Sequence, residues 1–161
     1  MHLSMQLSEQ SHKHGSITFT ACSQEEGKPL LIKLQDVVIP FEPGAFGGDG
    51  TEARKSICFA NAPSETLQQL IALEESIGAT TSNVKKDMLR CKVNVERARM
   101  CDALGKPTTA PETWRAWQVC AQIQVRGKWE TRQGSGLSLE VRDIMFKTKQ
   151  ENDQSCPFTT L

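Results

Sequence analysis

The chain has 161 residues, 38% of them hydrophobic, which suits a single domain that buries its own core without cross-links. Its formal charge is zero, but residues 1–84 carry five Lys and Arg against ten Asp and Glu, whereas residues 85–161 carry fourteen against nine. The only histidines, His2, His12 and His14, precede residue 15, so a Ser–His triad or a Cys–His pair is excluded from the rest of the chain.

The polar segment 1–15 predicts a flexible N-terminal arm, and the polar segment 148–161 predicts a flexible tail. The region between them, residues 16–147, is expected to form the domain. A short strand is expected at residues 17–19, and the alternation of residues 30–35 predicts a second strand whose phase shifts at Asp36.

The stretch 41–50 holds four glycines and is read either as a clamp over a ligand or as a long hairpin connection. A strand at residues 56–60 follows it. The apolar spacing of residues 64–77 predicts the one principal helix, with Ser64 as its N-cap and Gly78 as its stop.

Three further segments alternate cleanly and are predicted strands, namely residues 89–95, 117–126 and 137–142. A Gly-Ser-Gly loop at residues 134–136 is expected to join the last two, and a bulge near Asp143 explains a slip in phase. Trp117 falls in the core phase, and Trp114 is expected to plug one end of the domain.

These elements predict a mainly β fold, an OB-like five-stranded barrel with one principal α-helix. Barrels of this kind bind single strands through cations for phosphates and aromatic faces for bases. The alternative is an ordinary solvated barrel wall. The predicted nucleic-acid-binding residues are Lys33, Arg90, Lys92, Gln122, Gln124, Arg126, Lys128, Trp129 and Arg132.

Six cysteines lack any C-x-x-C spacing, and no apolar leader or membrane-length run is present, which predicts reduced thiols in an intracellular protein. No cofactor and no metal are expected. The scattered acids form no local motif, so the chain is predicted not to be an enzyme.

The order of strands, the helix ending in Glu74 and Glu75, the basic strand at 89–95, and residues 119–129 followed by 136–143 resemble phage- and virus-type single-stranded DNA-binding proteins. The resemblance spans residues 16–147 and implies an OB fold and a role in DNA replication, recombination or repair. Such proteins often end in an acidic tail with a terminal aromatic that recruits replication partners. Here residues 151–158 hold two acids, and Phe158 is not terminal.

A protein-interaction module is the competing interpretation. The C-terminal Thr159-Thr160-Leu161 has the Ser/Thr-x-apolar form that a PDZ groove captures by strand addition, and a barrel edge offers a second docking surface. Phe158 and Leu161 are therefore the predicted partner-binding residues of the tail. Homo-oligomerisation is left open.

Overall fold

A computed structural model describes residues 5–45 and 53–149, which form eleven strands and one α-helix. In chain order they are β1 (Gln6–Leu7), β2 (His12–His14), β3 (Ile17–Ser23), β4 (Leu30–Val38), β5 (Gly44–Ala45), β6 (Arg54–Phe59), α1 (Ser64–Ser76), β7 (Val84–Lys85), β8 (Met88–Asn94), β9 (Arg99–Asp102), β10 (Trp117–Thr131) and β11 (Gly134–Lys149).

The antiparallel hairpin of β10 and β11 is the spine of the sheet. The first part of β10 pairs with β4 and its last part pairs with β3, both antiparallel. Strand β11 pairs in parallel with β8 and with β9. The main path of neighbours is β1-β3-β10-β11-β8-β6-β5, with β2, β4, β7 and β9 attached beside it.

The expected five-stranded barrel is not confirmed, because this path, within the described residues, ends at β1 and β5 instead of closing. The reason lies in the length of the spine strands. With 15 and 16 residues, β10 and β11 are far longer than a common strand of about five or six residues, so each has room for two partners along one edge. Strands β3 and β4 pair with one edge of β10, and β8 and β9 pair with one edge of β11. Of these, the short strand β9 is not revealed by alternation in the sequence.

The predicted β phases are confirmed by burial. The inward positions of β4, β8, β10 and β11 form one hydrophobic core together with the apolar stripe of α1. Trp114 is buried at 4% exposure, with its ring centroid 5.5 Å from that of Phe146 in an edge-to-face contact. Trp117 is half-buried against the same ring at 5.4 Å.

Two irregularities read from the sequence are present. Asp36 has a φ of 54°, and the pairing of β4 with β10 shifts register there, which accounts for the change of phase. Gln122 faces Asp143 whereas Ile123 faces Val141, so Arg142 is the extra residue of a bulge beside Asp143.

The predicted helix is confirmed at Ser64–Ser76, but Ser64 is not its N-cap. Pro63 holds that position, and its side chain makes no capping hydrogen bond. Gly78 ends the helix with a φ of 70°, and its amide donates to the carbonyl of Glu75 at 3.1 Å. The helix has thirteen residues, fewer than the roughly twenty that cross a bilayer.

The segment expected to be a loose arm contributes β1 and β2, and both pair with β3. Met5 packs against the core. The domain boundaries stay a prediction. In the glycine-rich stretch, β5 pairs with β6, and residues 46–50 lie outside the described residues. The same holds for the tail after Lys149, including Phe158 and Leu161.

Candidate nucleic-acid interface

The tip of the spine hairpin differs from the sequence-based expectation. Thr131 pairs with Gly134, so the two-residue turn is Arg132 and Gln133, and the predicted Gly-Ser-Gly loop is wrong. Gly134 and Gly136 instead lie inside β11. Glycine within a strand marks close approach of another group. At Gly134 that group is the hydroxyl of Thr80, and at Gly136 it is the hydroxyl of Thr81 together with the ring of Trp129.

Trp129 lies in a row of directly paired residues that crosses four strands. It faces Gly136 of β11 on one side and Phe19 of β3 on the other, and Phe19 in turn faces His12 of β2. Directly opposed residues of antiparallel strands project from the same face of the sheet. The row therefore places two aromatic rings and an imidazole side by side.

Both aromatic rings of the row lie over glycines. A Cβ at position 136 would stand 2.9 Å from Cζ2 of Trp129, and a Cβ at position 127 would stand 2.7 Å from Cζ of Phe19. A ring this close to a glycine Cα lies against the strand backbone. Since Trp129 and Phe19 are both only half-buried, part of each ring remains open to solvent.

Three cationic side chains, Arg54, Arg90 and Lys92, lie beside these rings, and we call them the cationic wall. Phe19 and Trp129 line a cleft of about 650 Å³ together with Arg54 of β6 and Arg90 and Lys92 of β8, and we call it the aromatic cleft. In the pairing of β6 with β8, Ser56 faces Lys92 and Arg54 faces Asn94. The described residues that line the cleft include three cations and no carboxylate.

Lys92 is the most enclosed cation of this wall. Its Nζ donates to Oγ of Ser138 at 3.2 Å. Burial, the largest cause, lowers the pKa of Lys92 below the ordinary value of 10.5. The carboxylate of Glu140 opposes this shift, and the positive charges of Arg54 and Arg126 add to it. Glu140 faces Lys92 in the parallel pairing of β11 with β8, and Nη1 of Arg126 lies 3.6 Å from Oε1 of Glu140, so both residues lie close to the cleft.

The far edge of the cleft is held by the segment after α1. Asn83 lines the cleft, and its Nδ2 donates to the carbonyl of Leu137 at 2.8 Å. Thr81 Oγ1 donates to the carbonyl of Ser135 at 2.9 Å, and the amide of Ser135 donates to Thr80 Oγ1 at 2.8 Å. The helix end is thereby tied to the strand that carries Gly136.

The predicted binding residues do not all lie together. Arg90, Lys92 and Trp129 share the aromatic cleft. Arg126 and Gln124 line a neighbouring cleft, whereas Lys33 and Gln122 face one another across β4 and β10 in a third.

The remaining two predicted residues are near the hairpin tip. Lys128 pairs with Glu130 at 3.8 Å, and its side chain is only 19% exposed. Arg132 is exposed in the turn.

Sequence reasoning missed Phe19, Arg54 and Asn83. Phe19 ends the segment that was expected to be the first strand, but nothing in it reveals a partner 110 positions away. Arg54 could have been found, because it precedes the predicted strand at residues 56–60 with the same parity as Ser56. Asn83 lies in the stretch 80–87, where the pattern indicates no defined element.

Comparison with solved structures identifies the fold. The chain is similar to a single-stranded DNA-binding protein from bacteriophage Enc34 with a C-terminal truncation, at a TM-score of 0.59 and 14% identity over 91% of this chain and 99% of that one. The fold is that of phage single-stranded DNA-binding proteins. The Enc34 protein in complex with ssDNA matches at a TM-score of 0.52 and 14% identity, covering 89% of this chain and 98% of that one. No family model and no curated protein matches the sequence.

Proposed function

We propose that this chain binds single-stranded DNA in the aromatic cleft with little sequence preference. The observation that carries the proposal is the pair of half-exposed rings, Phe19 and Trp129, each lying over a glycine beside three cations. Stacking tolerates any sequence because every base has a π-face, and cations along the groove follow the phosphates. The protein would act as a binding protein in replication, recombination or repair, not as an enzyme.

The OB-type barrel belongs to the same proposal. Strands β4, β10, β11, β8 and β6 follow one another through the ladder. Val38, at the end of β4, and Ala60, directly after β6, exchange two backbone hydrogen bonds of 3.1 and 2.7 Å. This isolated bridge brings the first and last of these five strands together. A fold relative solved with ssDNA adds further support for a groove on such a framework.

A fluorescence titration with oligodeoxythymidylate tests the proposal. Trp114 and Trp117 pack on Phe146 away from the aromatic cleft, so quenching on titration is assigned to Trp129. Stacking on such a ring is worth roughly 1–3 kcal/mol per base, so we expect Trp129→Ala to weaken binding by about tenfold or more. Binding of this variant is followed by anisotropy of a labelled strand.

The contribution of the cations is tested with Arg90→Ala, and Lys33→Ala is its matched control. Each variant loses one exposed cation of a strand, but Lys33 lies in another cleft. For single strands each lost phosphate contact lowers the slope of log K against log salt by about 0.7. We expect that change for Arg90→Ala alone. If the emission of Trp129 does not change when the oligonucleotide is added, and both charge variants bind DNA like the parent, the proposal is wrong.

A further inference from the structure

A second basic surface lies next to the aromatic cleft. It is an open cleft of about 430 Å³ where β8, β10, β11 and the start of β9 meet, and we call it the arginine cleft. Its polar lining consists of Asn94, Arg97, Arg99, Gln124, Arg126, Glu140 and Arg142. Four guanidinium groups therefore share one small concave surface with a single carboxylate.

The four arginines differ in how far they are neutralised. Nε of Arg99 lies 2.6 Å from Oδ1 of Asp143, and Nη1 of Arg126 lies 3.6 Å from Oε1 of Glu140. Arg97 and Arg142 form no ion pair with any residue in 5–45 or 53–149. Even with Asp143 counted, the surface keeps a formal excess of two positive charges. Planar guanidinium groups suit phosphate oxygens because they donate two parallel hydrogen bonds.

The bulge of β11 explains why the charges converge here. Arg142 is the extra residue between the pairs of Ile123 with Val141 and Gln122 with Asp143, and a bulge redirects its side chain. A second register shift lies between Val125 and Gly127, which leaves Arg126 as the extra residue of β10. Two irregularities on adjacent strands thus each contribute one arginine to the same cleft.

The two clefts are adjacent. Lys92 lines the aromatic cleft, and Asn94, two residues further along the same face of β8, lines the arginine cleft. Glu140 faces Lys92 in the parallel pairing of β11 with β8 and also lies beside Arg126. Three charged side chains therefore lie next to one another across the boundary between the clefts, in the order Lys92, Glu140 and Arg126.

We infer that the arginine cleft binds the backbone phosphates of nucleotides that continue beyond the aromatic cleft on the same strand. This inference rests on the proposed function, since the strand enters the arginine cleft only if its bases stack on Phe19 and Trp129. The cleft adds affinity for long strands without adding base preference, because phosphate contacts carry no sequence information.

The test compares a short and a long oligodeoxythymidylate, about four and about sixteen nucleotides, the two ends of the range of sites on OB folds. The arginine variant carries two substitutions together, Arg97→Ala and Arg142→Ala, and it removes no ion pair. Lys33→Ala with Lys106→Ala is the control, because it removes two exposed positive charges that line neither cleft. Thermal melting of each variant verifies the fold.

We expect the arginine variant to bind the short strand within about twofold of the parent. It should bind the long strand at least about tenfold more weakly, with a salt slope reduced by about 1.4 for two lost phosphate contacts. The control should match the parent on both strands. Equal loss on both strands, or no loss on either, overturns the inference while the proposed function stands.

Two other results are informative. If the parent binds neither strand, the proposed function itself fails. If the arginine variant binds both strands like the parent but no longer binds polyglutamate, the cleft serves an acidic protein segment and the inference is overturned.

Discussion

The indole of Trp129 lies directly over Gly136 of the neighbouring strand. A Cβ built on Gly136 would stand 2.7 Å from Oγ1 of Thr81, 2.9 Å from Cζ2 of Trp129 and 3.0 Å from Cε2 of the same ring. Real Cβ atoms do not approach other heavy atoms this closely, so the positions of the ring and of the Thr81 hydroxyl both depend on the missing side chain. The orientation of the proposed stacking surface thereby depends on the absence of a side chain at position 136.

Gly136→Ala is expected to displace both the indole of Trp129 and the hydroxyl of Thr81, because the added methyl would stand 2.9 Å from the ring and 2.7 Å from the oxygen. Overpacking of this kind costs about 1–3 kcal/mol of folding free energy, and the loss of one stacked base costs a similar amount of binding free energy. We expect binding to oligodeoxythymidylate to weaken by about tenfold, measured by anisotropy. The emission of Trp129 should shift to longer wavelength because its ring becomes more exposed.

Gly44→Ala is the matched control for this substitution. Gly44 also lies in a strand, but no heavy atom stands within 4 Å of a Cβ built on it. The control should bind and melt like the parent. Unchanged binding and emission in Gly136→Ala would show that the ring has room elsewhere and that Gly136 does not set its position.

Alkaline pH should weaken DNA binding through Lys92. Because burial lowers the pKa of its ammonium group below 10.5, Lys92 loses its charge before ordinary surface lysines do. We expect the salt slope of binding to fall by about 0.7 as Lys92 deprotonates, within the pH range below 10.5. Lys92→Arg stays charged throughout and should abolish this step. A step that persists in the arginine variant would assign it to another group.

The same shift has a consequence for stability. The charged form of Lys92 is less favourable in the folded protein than in the unfolded chain, so its protonation opposes folding below the folded-state pKa. That cost disappears as the pH rises from the folded-state pKa toward 10.5. Lys92→Met, which keeps a chain of similar length, should remove this contribution in urea denaturation curves recorded across that range. An unchanged pH dependence in the variant would contradict this.

Glu74 is expected to matter for stability and for the edge of the aromatic cleft. Its carboxylate, 5% exposed, accepts hydrogen bonds from Oγ of Ser82 at 2.6 Å and from the amide of Asn83 at 2.8 Å. Glu74→Ala removes both acceptor oxygens and leaves the half-buried amide of Asn83 without this partner, which costs about 1–3 kcal/mol. Urea denaturation measures the loss. Glu75→Ala, one residue along and exposed, should be neutral; equal costs for both would refute the role of these bonds.

The thiols should report local opening of the fold. Burial raises the pKa of Cys91 strongly, with a further increase from Cys58, and burial raises the pKa of Cys22 to about 11. Because the thiolate is the reactive species, Cys91 should resist iodoacetamide at pH 8 until urea unfolds the domain. Mass spectrometry locates the labelled sites, and half-exposed Cys101 and Cys120 serve as internal references. Rapid labelling of Cys91 in native buffer would contradict the described packing.

The positions of the long strands and of the helix were predictable because a half-buried element imposes a period on its own residues. The alternation in residues 117–126 corresponds to β10, and the slip at Asp143 corresponds to the bulge at Arg142. The end of the spine hairpin was not predictable in this way. Glycines usually mark turns, and nothing local shows that Gly136 instead makes room for a ring seven residues earlier in the chain.

The binding site was only partly predictable because it is assembled from distant segments. Parity along a strand assigns Arg90 and Lys92 to an outward face, but it does not say which other strand lies beside them. Lys33 and Gln122 have the same outward parity and lie in a different cleft. Phe19 joins Trp129 only through the register of β3 with the end of β10, and register over such separations is decided by the whole sheet.

The order of the strands along the sequence also affects how the protein is made, because the spine hairpin follows the strands with which it pairs. Strands β3 and β4 need β10 as their neighbour, and β8 and β9 need β11. While a ribosome adds about 5–20 residues per second, the emerging chain holds four strands whose partner is not yet synthesised. The sheet is thus completed only after residue 149 has left the exit tunnel. Until then those unpaired strand edges offer free backbone groups to other chains.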